Sequence, residues 1–375
     1  MAPTLEPYRV DVPDATLDDL RARLARSRLP NQIDGIGWAQ GTERGYLRDL
    51  LDHWRTAYDW RRVEAELGGY EHVRVVVDGQ PLHALHARSS SPAAVPLLLV
   101  HGWPGSVVEF LDALPGLTEA FHVVAPSLPG YGFSGPTTEP GWHPRRIAAA
   151  CVELLDALGY DRYGLQGGDW GSVVASNVAD LVPDRVVGLH LNFVVVPRPP
   201  DGTEPTPEEA AALAALAAWR RDGAAYQEIQ GTRPQTLGYA LEDSPAGLCA
   251  WIVEKFRAWS DCDGDLDAAI GRDDVLADVT LYWVTGTANS ASRIYLEAMR
   301  AGQFQPITER IEVPTGAAIF PKETVKAPRP WAEAAWNIKR WTVMPKGGHF
   351  AALEVPDLLI DDVRAFFRDL RSDGR

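Results

Sequence analysis

Two short runs hold the side chains most suited to chemistry. In Gly167-Gly168-Asp169-Trp170-Gly171 an acidic residue sits inside a frame of small ones. The run Tyr163-Gly164-Leu165-Gln166 precedes it, and Val173, Val174 and Val178 follow on a helical spacing. Small flanking residues let a strand turn sharply into a helix and expose the central side chain. A carboxylate presented there can attack a saturated carbon to give an alkyl ester, which water must then cleave. Opening of an epoxide or cleavage of a carbon–halogen bond suits this plan; ordinary ester hydrolysis does not. Gly-Gly-Asp also occurs in plain turns, so the pentapeptide needs partners elsewhere in the chain.

A base is expected at His349, in Lys346-Gly347-Gly348-His349-Phe350, five residues past an expected final strand. A neutral imidazole there could activate water against the ester carbonyl. A surface or capping histidine is the plainer alternative, and the glycine pair, strand context and chain order weigh against it. Such a base needs an acid to orient its ring. Glu323, in Phe320-Pro321-Lys322-Glu323, lies just past a strand end, ahead of Asp273, Asp274 and Glu333 as competitors. The loop His101-Gly102-Trp103-Pro104-Gly105 follows another strand. It can aim backbone N–H groups at the space faced by the amide after the nucleophile, so the oxyanion donors are expected to be the amides of Trp103 and Trp170. His101 precedes the nucleophile and reads as a loop buttress. An epoxide oxygen would need donors of its own as its bond breaks, and phenols suit that task. Residues 196–300 offer Tyr226, Tyr239, Tyr282 and Tyr295, which spacing alone does not rank.

The elements that must position these groups follow an α/β order. Residues 1–90 form an introductory segment. It has a capping box at Thr16-Leu17-Asp18-Asp19, two helical stripes, and a hairpin from His72–Val77 to Leu82–His86 around Asp78-Gly79. The hairpin is expected to add an antiparallel edge to a larger sheet. In the core segment 91–195, strands are expected at Val95–Val100, Phe121–Ala125, Tyr163–Gln166 and Val186–Leu191, with a helix over 147–158. Strands alternating with helices indicate a largely parallel sheet. The pattern breaks at Pro197-Arg198-Pro199-Pro200-Asp201-Gly202. Helical stretches without a central strand then fill a lid over 196–300. The core resumes over 301–375, with strands at Ala317–Phe320 and Trp341–Met344 and a closing helix from Pro356 to Leu370. The glycine-rich run Gly130–Gly135 lacks a P-loop lysine and dinucleotide-binding spacing.

Composition narrows the class. A chain of 375 residues, 46% apolar and 23% charged, can bury a large core. The net charge of −15 and scattered basic residues argue against a nucleic-acid partner. Cys151, Cys249 and Cys262 are too few and too far apart for a disulfide scaffold or zinc knuckle, which makes a reducing cytoplasm the expected setting. No signal peptide or membrane-spanning run is visible. The 13 tryptophans, among them Trp103, Trp170, Trp283, Trp331 and Trp336, fit either core packing or an aromatic-lined cavity.

The motifs HGWPGS at 101–106, GYGFSG at 130–135, GGDWG at 167–171, YWVTGT at 282–287 and GGHFAALE at 347–354 together resemble the microsomal-type epoxide hydrolases, over nearly the whole chain. The resemblance implies an α/β-hydrolase fold, with a mostly parallel central sheet, a helical lid and an N-terminal extension. It places the nucleophile on Asp169, the base on His349 and its partner on Glu323. It also selects Tyr226 and Tyr295 as the lid phenols. The implied reactants are a small-molecule epoxide and water. No metal or organic cofactor is expected, because nucleophile, base and oxyanion amides all come from the protein and no ligand cluster is visible. The membrane anchor of the family's animal enzymes is missing, so the chain looks like a soluble bacterial-type relative; a homo-oligomer is compatible with it. A dehalogenase would share the first step but would want halide donors where the loop has Trp103. A non-catalytic scaffold would be expected to lose Asp169, Glu323 or His349.

Overall fold

The computed structural model describes residues 4–194, 196, 204–303 and 310–373. The proline-rich break expected at 197–202 lies outside them. Nine strands form one sheet: β1 (Glu6–Pro7), β2 (Glu71–Val77), β3 (Gln80–Ala87), β4 (Val95–Val100), β5 (Phe121–Pro126), β6 (Tyr163–Gly167), β7 (Val186–Leu191), β8 (Ile311–Ile319) and β9 (Trp336–Val343). Their spatial order is β1-β2-β3-β5-β4-β6-β7-β8-β9. From β5 to β9 every pairing is parallel, whereas β1, β2 and β3 add antiparallel strands beyond β5.

The inner strands are buried along most of their length, which is why Val95–Val100 and Val186–Leu191 read as continuous apolar runs rather than alternating ones. Helices cover both faces. Burying a ring such as Phe366 or Phe367 of the closing helix, Pro356–Asp373, stabilises the fold by about 1.5–3 kcal/mol each.

The chain leaves β4 towards β5 on one side and returns to β6 on the other. The loops after β4 and β6 therefore open side by side at the carboxyl ends of their strands, where such sheets present ligand sites. Between β7 and β8 the described residues are helical, from Pro207–Asp222 to Ala288–Ala301. The introductory segment braces these helices from outside. Thr42 Oγ1 donates to the Ala250 carbonyl at 2.7 Å, and Tyr46 Oη to Asp267 Oδ1 at 2.7 Å. His53 Nε2 lies 2.6 Å from Asp273 Oδ1.

Some elements depart from the sequence expectation. The first helix, Asp14–Leu24, starts two residues before Thr16, with Pro13 at its N-cap and no side-chain cap bond. A capping box exists instead at Thr206, whose hydroxyl accepts from the Glu209 amide while Glu209 accepts from the Thr206 amide. The final strand begins at Trp336 rather than Trp341. Lys339 and Arg340 interrupt its apolar pattern, but pairing with β8 carries the strand through them.

Candidate active site

The turn from β6 into the helix Trp170–Leu181 places Asp169 at φ 48° and ψ −131°, a conformation few non-glycine residues hold. Close approach allows it. A Cβ on Gly171 would lie 2.0 Å from the Val100 carbonyl oxygen, and one on Gly102 would lie 2.2 Å from Asp169 Oδ1. Both positions therefore exclude a side chain, and their lack of one lets the β4 loop touch the elbow. The Trp103 amide donates to Asp169 Oδ1 at 2.8 Å. His101 stands behind this loop: its Nδ1 lies 3.0 Å from the Gly102 carbonyl, and its Nε2 accepts from the Leu128 amide at 3.2 Å. Burial lowers the His101 pKa to about 4, so the ring is neutral, as that donor–acceptor pairing requires.

His349 follows β9 and Glu323 follows the adjacent β8, so the sheet register brings together residues separated by 26 positions. His349 Nδ1 lies 2.8 Å from Glu323 Oε1, and His349 Nε2 lies 3.3 Å from Asp169 Oδ2. Glu323 Oε1 also accepts from the Thr324 amide at 2.6 Å. Burial alone would lower the imidazole's pKa. The carboxylates of Glu323 and Asp169 outweigh it and raise the ring well above its ordinary value. The His349 loop is pinned by its own amide donating to the Trp259 carbonyl at 2.9 Å, and by the Gly347 amide donating to Asp261. The competitors lie elsewhere: Asp273 pairs with His53 and Arg62, and Glu333 with Arg329.

Tyr226, on the helix Ala225–Thr232, and Tyr295, on Ala288–Ala301, meet above Asp169. Their hydroxyls share a hydrogen bond, and the Trp170 indole bonds to Tyr295. Trp103 stacks on Tyr226 with ring centroids 5.1 Å apart. Burial first, and the nearby Asp169 charge second, raise the Tyr226 phenol; Tyr295 is raised in the same direction by burial and by Tyr226. Both hydroxyls thus keep their protons near neutrality. Of the other lid tyrosines, Tyr239 is exposed, and Tyr282 donates to the Gly105 carbonyl from within the core.

A cavity of about 500 Å³ joins Asp169 and His349 to Tyr226 and Tyr295. Phe193, Trp170, Trp219 and Trp259 contribute aromatic wall. The tryptophans thus divide between the two readings of their number, since Trp336 is packed in the core and Trp331 bonds to Glu209 outside the cavity. Trp259, Phe193 and the buried Lys255, whose ammonium lies 4.6 Å from the Tyr226 ring centroid, were not singled out from sequence. Only their place around the cavity marks them, Trp259 and Lys255 on the lid helix Pro245–Trp259 and Phe193 just after β7. Among the described residues no cluster of His, Cys, Asp and Glu is arranged to hold a metal ion, and no helix is long and apolar enough to cross a membrane.

Known proteins resemble this chain along nearly its whole length. The family model for the epoxide hydrolase N terminus matches residues 5–110, and that for the α/β hydrolase fold matches 95–241. A Stigmatella aurantiaca protein named as a candidate epoxide hydrolase is 44% identical over 98% of this chain and 86% of its own length. Epoxide hydrolase 1 of Sus scrofa is 34% identical over 97% of this chain and 88% of its own. The Aspergillus niger epoxide hydrolase structure superposes with a TM-score of 0.87 at 32% identity, covering 99% of this chain and 97% of that one. The two family models and the near full-length relatives converge on one conclusion: the chain belongs to the epoxide hydrolase family, and it is built on the α/β-hydrolase fold.

Proposed function

We propose that this epoxide hydrolase works through a covalent ester on Asp169. The observation that carries the reading is the division of labour at that one carboxylate. Oδ1 is held by the Trp103 amide, while Oδ2 lies beside His349 in a cavity roofed by two protonated phenols. In the first step an Asp169 oxygen forms a bond to an epoxide carbon as that carbon's C–O bond breaks. The electron pair goes to the epoxide oxygen, which takes a proton from Tyr226 or Tyr295. Burial of the phenols strengthens such donation, because little water competes for the developing charge.

Alkylation also changes the base. Esterified Asp169 no longer carries the negative charge that helps raise His349, so the ring's proton affinity falls and its proton passes through solvent to the phenolate. Neutral His349, oriented by Glu323, then takes a proton from water as the water oxygen bonds to Asp169 Cγ. The Trp103 and Trp170 amides serve the resulting oxyanion. Collapse breaks the bond from Cγ to the alkyl oxygen, the diol takes the proton held on His349, and ionisation of the restored carboxyl returns the ring to its charged state. Every reacting group in this scheme comes from the protein, and the scheme calls on no metal or organic cofactor. The aromatic cavity favours an apolar or aryl epoxide over a charged one.

Mixing the His349→Gln variant with a reactive epoxide should give a protein whose mass is raised by that of the substrate, with the addition mapping to Asp169. In the wild-type protein, a single turnover in heavy-oxygen water should leave label in the Asp169 carboxylate. Label confined to the diol, with no trapped adduct, would overturn the covalent route in favour of direct hydration.

A further inference from the structure

Two cavities of different character meet at Asp169 and His349. The lid-side cavity, about 500 Å³, is the aromatic one described above. The core-side cavity is also lined by Asp169 and His349, but its other walls include Gly105, Glu109, Gln166, Asn192 and Ala351. It offers only about 20 Å³ to a water-sized sphere, room for a water molecule and not for a carbon skeleton.

Its walls are polar where water would need them to be. Gln166 is 2% exposed; its amide nitrogen donates to Asn192 Oδ1 at 2.7 Å, and its Oε1 has no protein partner. A buried acceptor left unpaired is costly, and one ordered water satisfies it. Glu109 lies on the short turn Val107–Phe110, directly after the loop that carries the Trp103 amide. Its carboxyl sits against the bare Cα of Gly105, where a Cβ would lie 1.9 Å from Oε2.

We infer that the core-side cavity holds the water that cleaves the Asp169 ester, and that Glu109 is the residue that positions it. This rests on the covalent reading of the site. Water held there is next to both the atom it attacks, Asp169 Cγ, and the ring that takes its proton. The substrate carbon skeleton enters from the lid side, so the two reactants reach Asp169 without sharing one space. Burial, and the buried Asp278 beyond Ser106, push the Glu109 carboxyl well above the usual carboxylate range. It therefore keeps its proton and offers one donor and one acceptor, as a bridging water requires. Glu109 takes no proton from the water and forms no bond to substrate; the proton goes to His349.

The test separates the two half-reactions by rapid mixing and intact-protein mass measurement. Glu109→Met removes the polar end while keeping an adaptable chain of similar length. Alkylation of Asp169 should stay within about twofold of wild type, while breakdown of the ester slows by about tenfold or more, so that alkylated protein accumulates. Glu109→Gln, which still donates and accepts, should restore breakdown to within about threefold. If Glu109→Met does not fold, Ala351→Val keeps Glu109 but crowds the cavity, and it should slow breakdown alone. Equal slowing of both steps, or breakdown at the wild-type rate in a folded variant, overturns the assignment of Glu109 and the cavity. Absence of any covalent intermediate, in wild type and in His349→Gln alike, would instead overturn the covalent reading beneath it.

Discussion

The sheet side and the lid side of this site are built on different principles. Below, each group is fixed by backbone: Asp169 by a strained elbow, Trp103 by a loop that presses through Gly102 against that elbow, His349 and Glu323 by adjacent parallel strands. Above, Tyr226 and Tyr295 are fixed by packing of rings on helices, through Trp103, Trp170 and each other. The sheet side handles full charges, two carboxylates and an imidazolium. The lid side supplies neutral donors whose protons are retained by burial. On the proposed covalent route the contrast has a reason: groups that develop covalent bonds need angular precision, which backbone gives, and groups that only share a proton tolerate the smaller rigidity of side-chain packing.

Substitutions should expose this asymmetry. The largest effect is expected for Asp169→Asn, because a neutral amide is a poor nucleophile. Turnover should fall by about 10⁴-fold or more with no mass adduct, measured by diol formation and intact-protein mass. Persistence of an adduct at residue 169 at the wild-type rate would break the sheet-side assignment.

Next comes Gly102→Ala, whose added Cβ would collide with Asp169 Oδ1. We expect alkylation to fall by about 100-fold while the folded state survives, read by single-turnover kinetics beside thermal unfolding. Retained activity would mean that the loop yields more easily than its close approach suggests.

On the lid side the expected losses are smaller. Tyr226→Phe or Tyr295→Phe should each slow alkylation by about 10–100-fold, because the partner phenol still reaches the epoxide oxygen. The double variant should lose more than either. If neither single variant slows alkylation, the lid's role reduces to shaping the cavity.

The mildest test uses pH. His349 is raised in the resting state by Glu323 and Asp169, and esterification of Asp169 removes one of those influences. Ester breakdown needs the neutral ring, so its rate should rise with pH until the ring in the ester form has lost its proton, then level off. Alkylation does not call on the neutral ring and should change little over that range. A parallel acid limb in both steps would place the titration elsewhere.

Much of the sheet side was legible in the sequence because its constraints are local. The elbow needs small residues around Asp169, and the motif order follows the chain. The hairpin from His72 and the strands at 95–100 and 186–191 also carry patterns set by their own burial. Where long-range pairing decides, the pattern fails. Trp336–Arg340 joins β9 through β8 rather than through its own alternation, and Thr16 loses its expected cap because the helix starts earlier, at Asp14. The lid phenols could not be ranked by spacing alone. Four tyrosines satisfy the chemical need, and only the packing of distant helices separates Tyr226 and Tyr295 from exposed Tyr239 and core-bound Tyr282. Glu109 gave no signal beside the loop motif because its significance lies in what it faces.

The contacts that tie the introductory segment to the lid helices bear on how the molecule breathes. With Thr42, Tyr46 and His53 bonded across to Ala250, Asp267 and Asp273, a hinge opening of those helices would have to sever a second layer as well as leave the sheet. Amide protons in the helix Pro245–Trp259 should therefore exchange with solvent only as the whole fold opens. The helix Pro207–Asp222, which buries no residue yet contributes Leu216 and Trp219 to the cavity wall, should exchange through small local fluctuations. That contrast in exchange would mark the helix as a side door for traffic to and from Asp169; equal protection in both helices would close it.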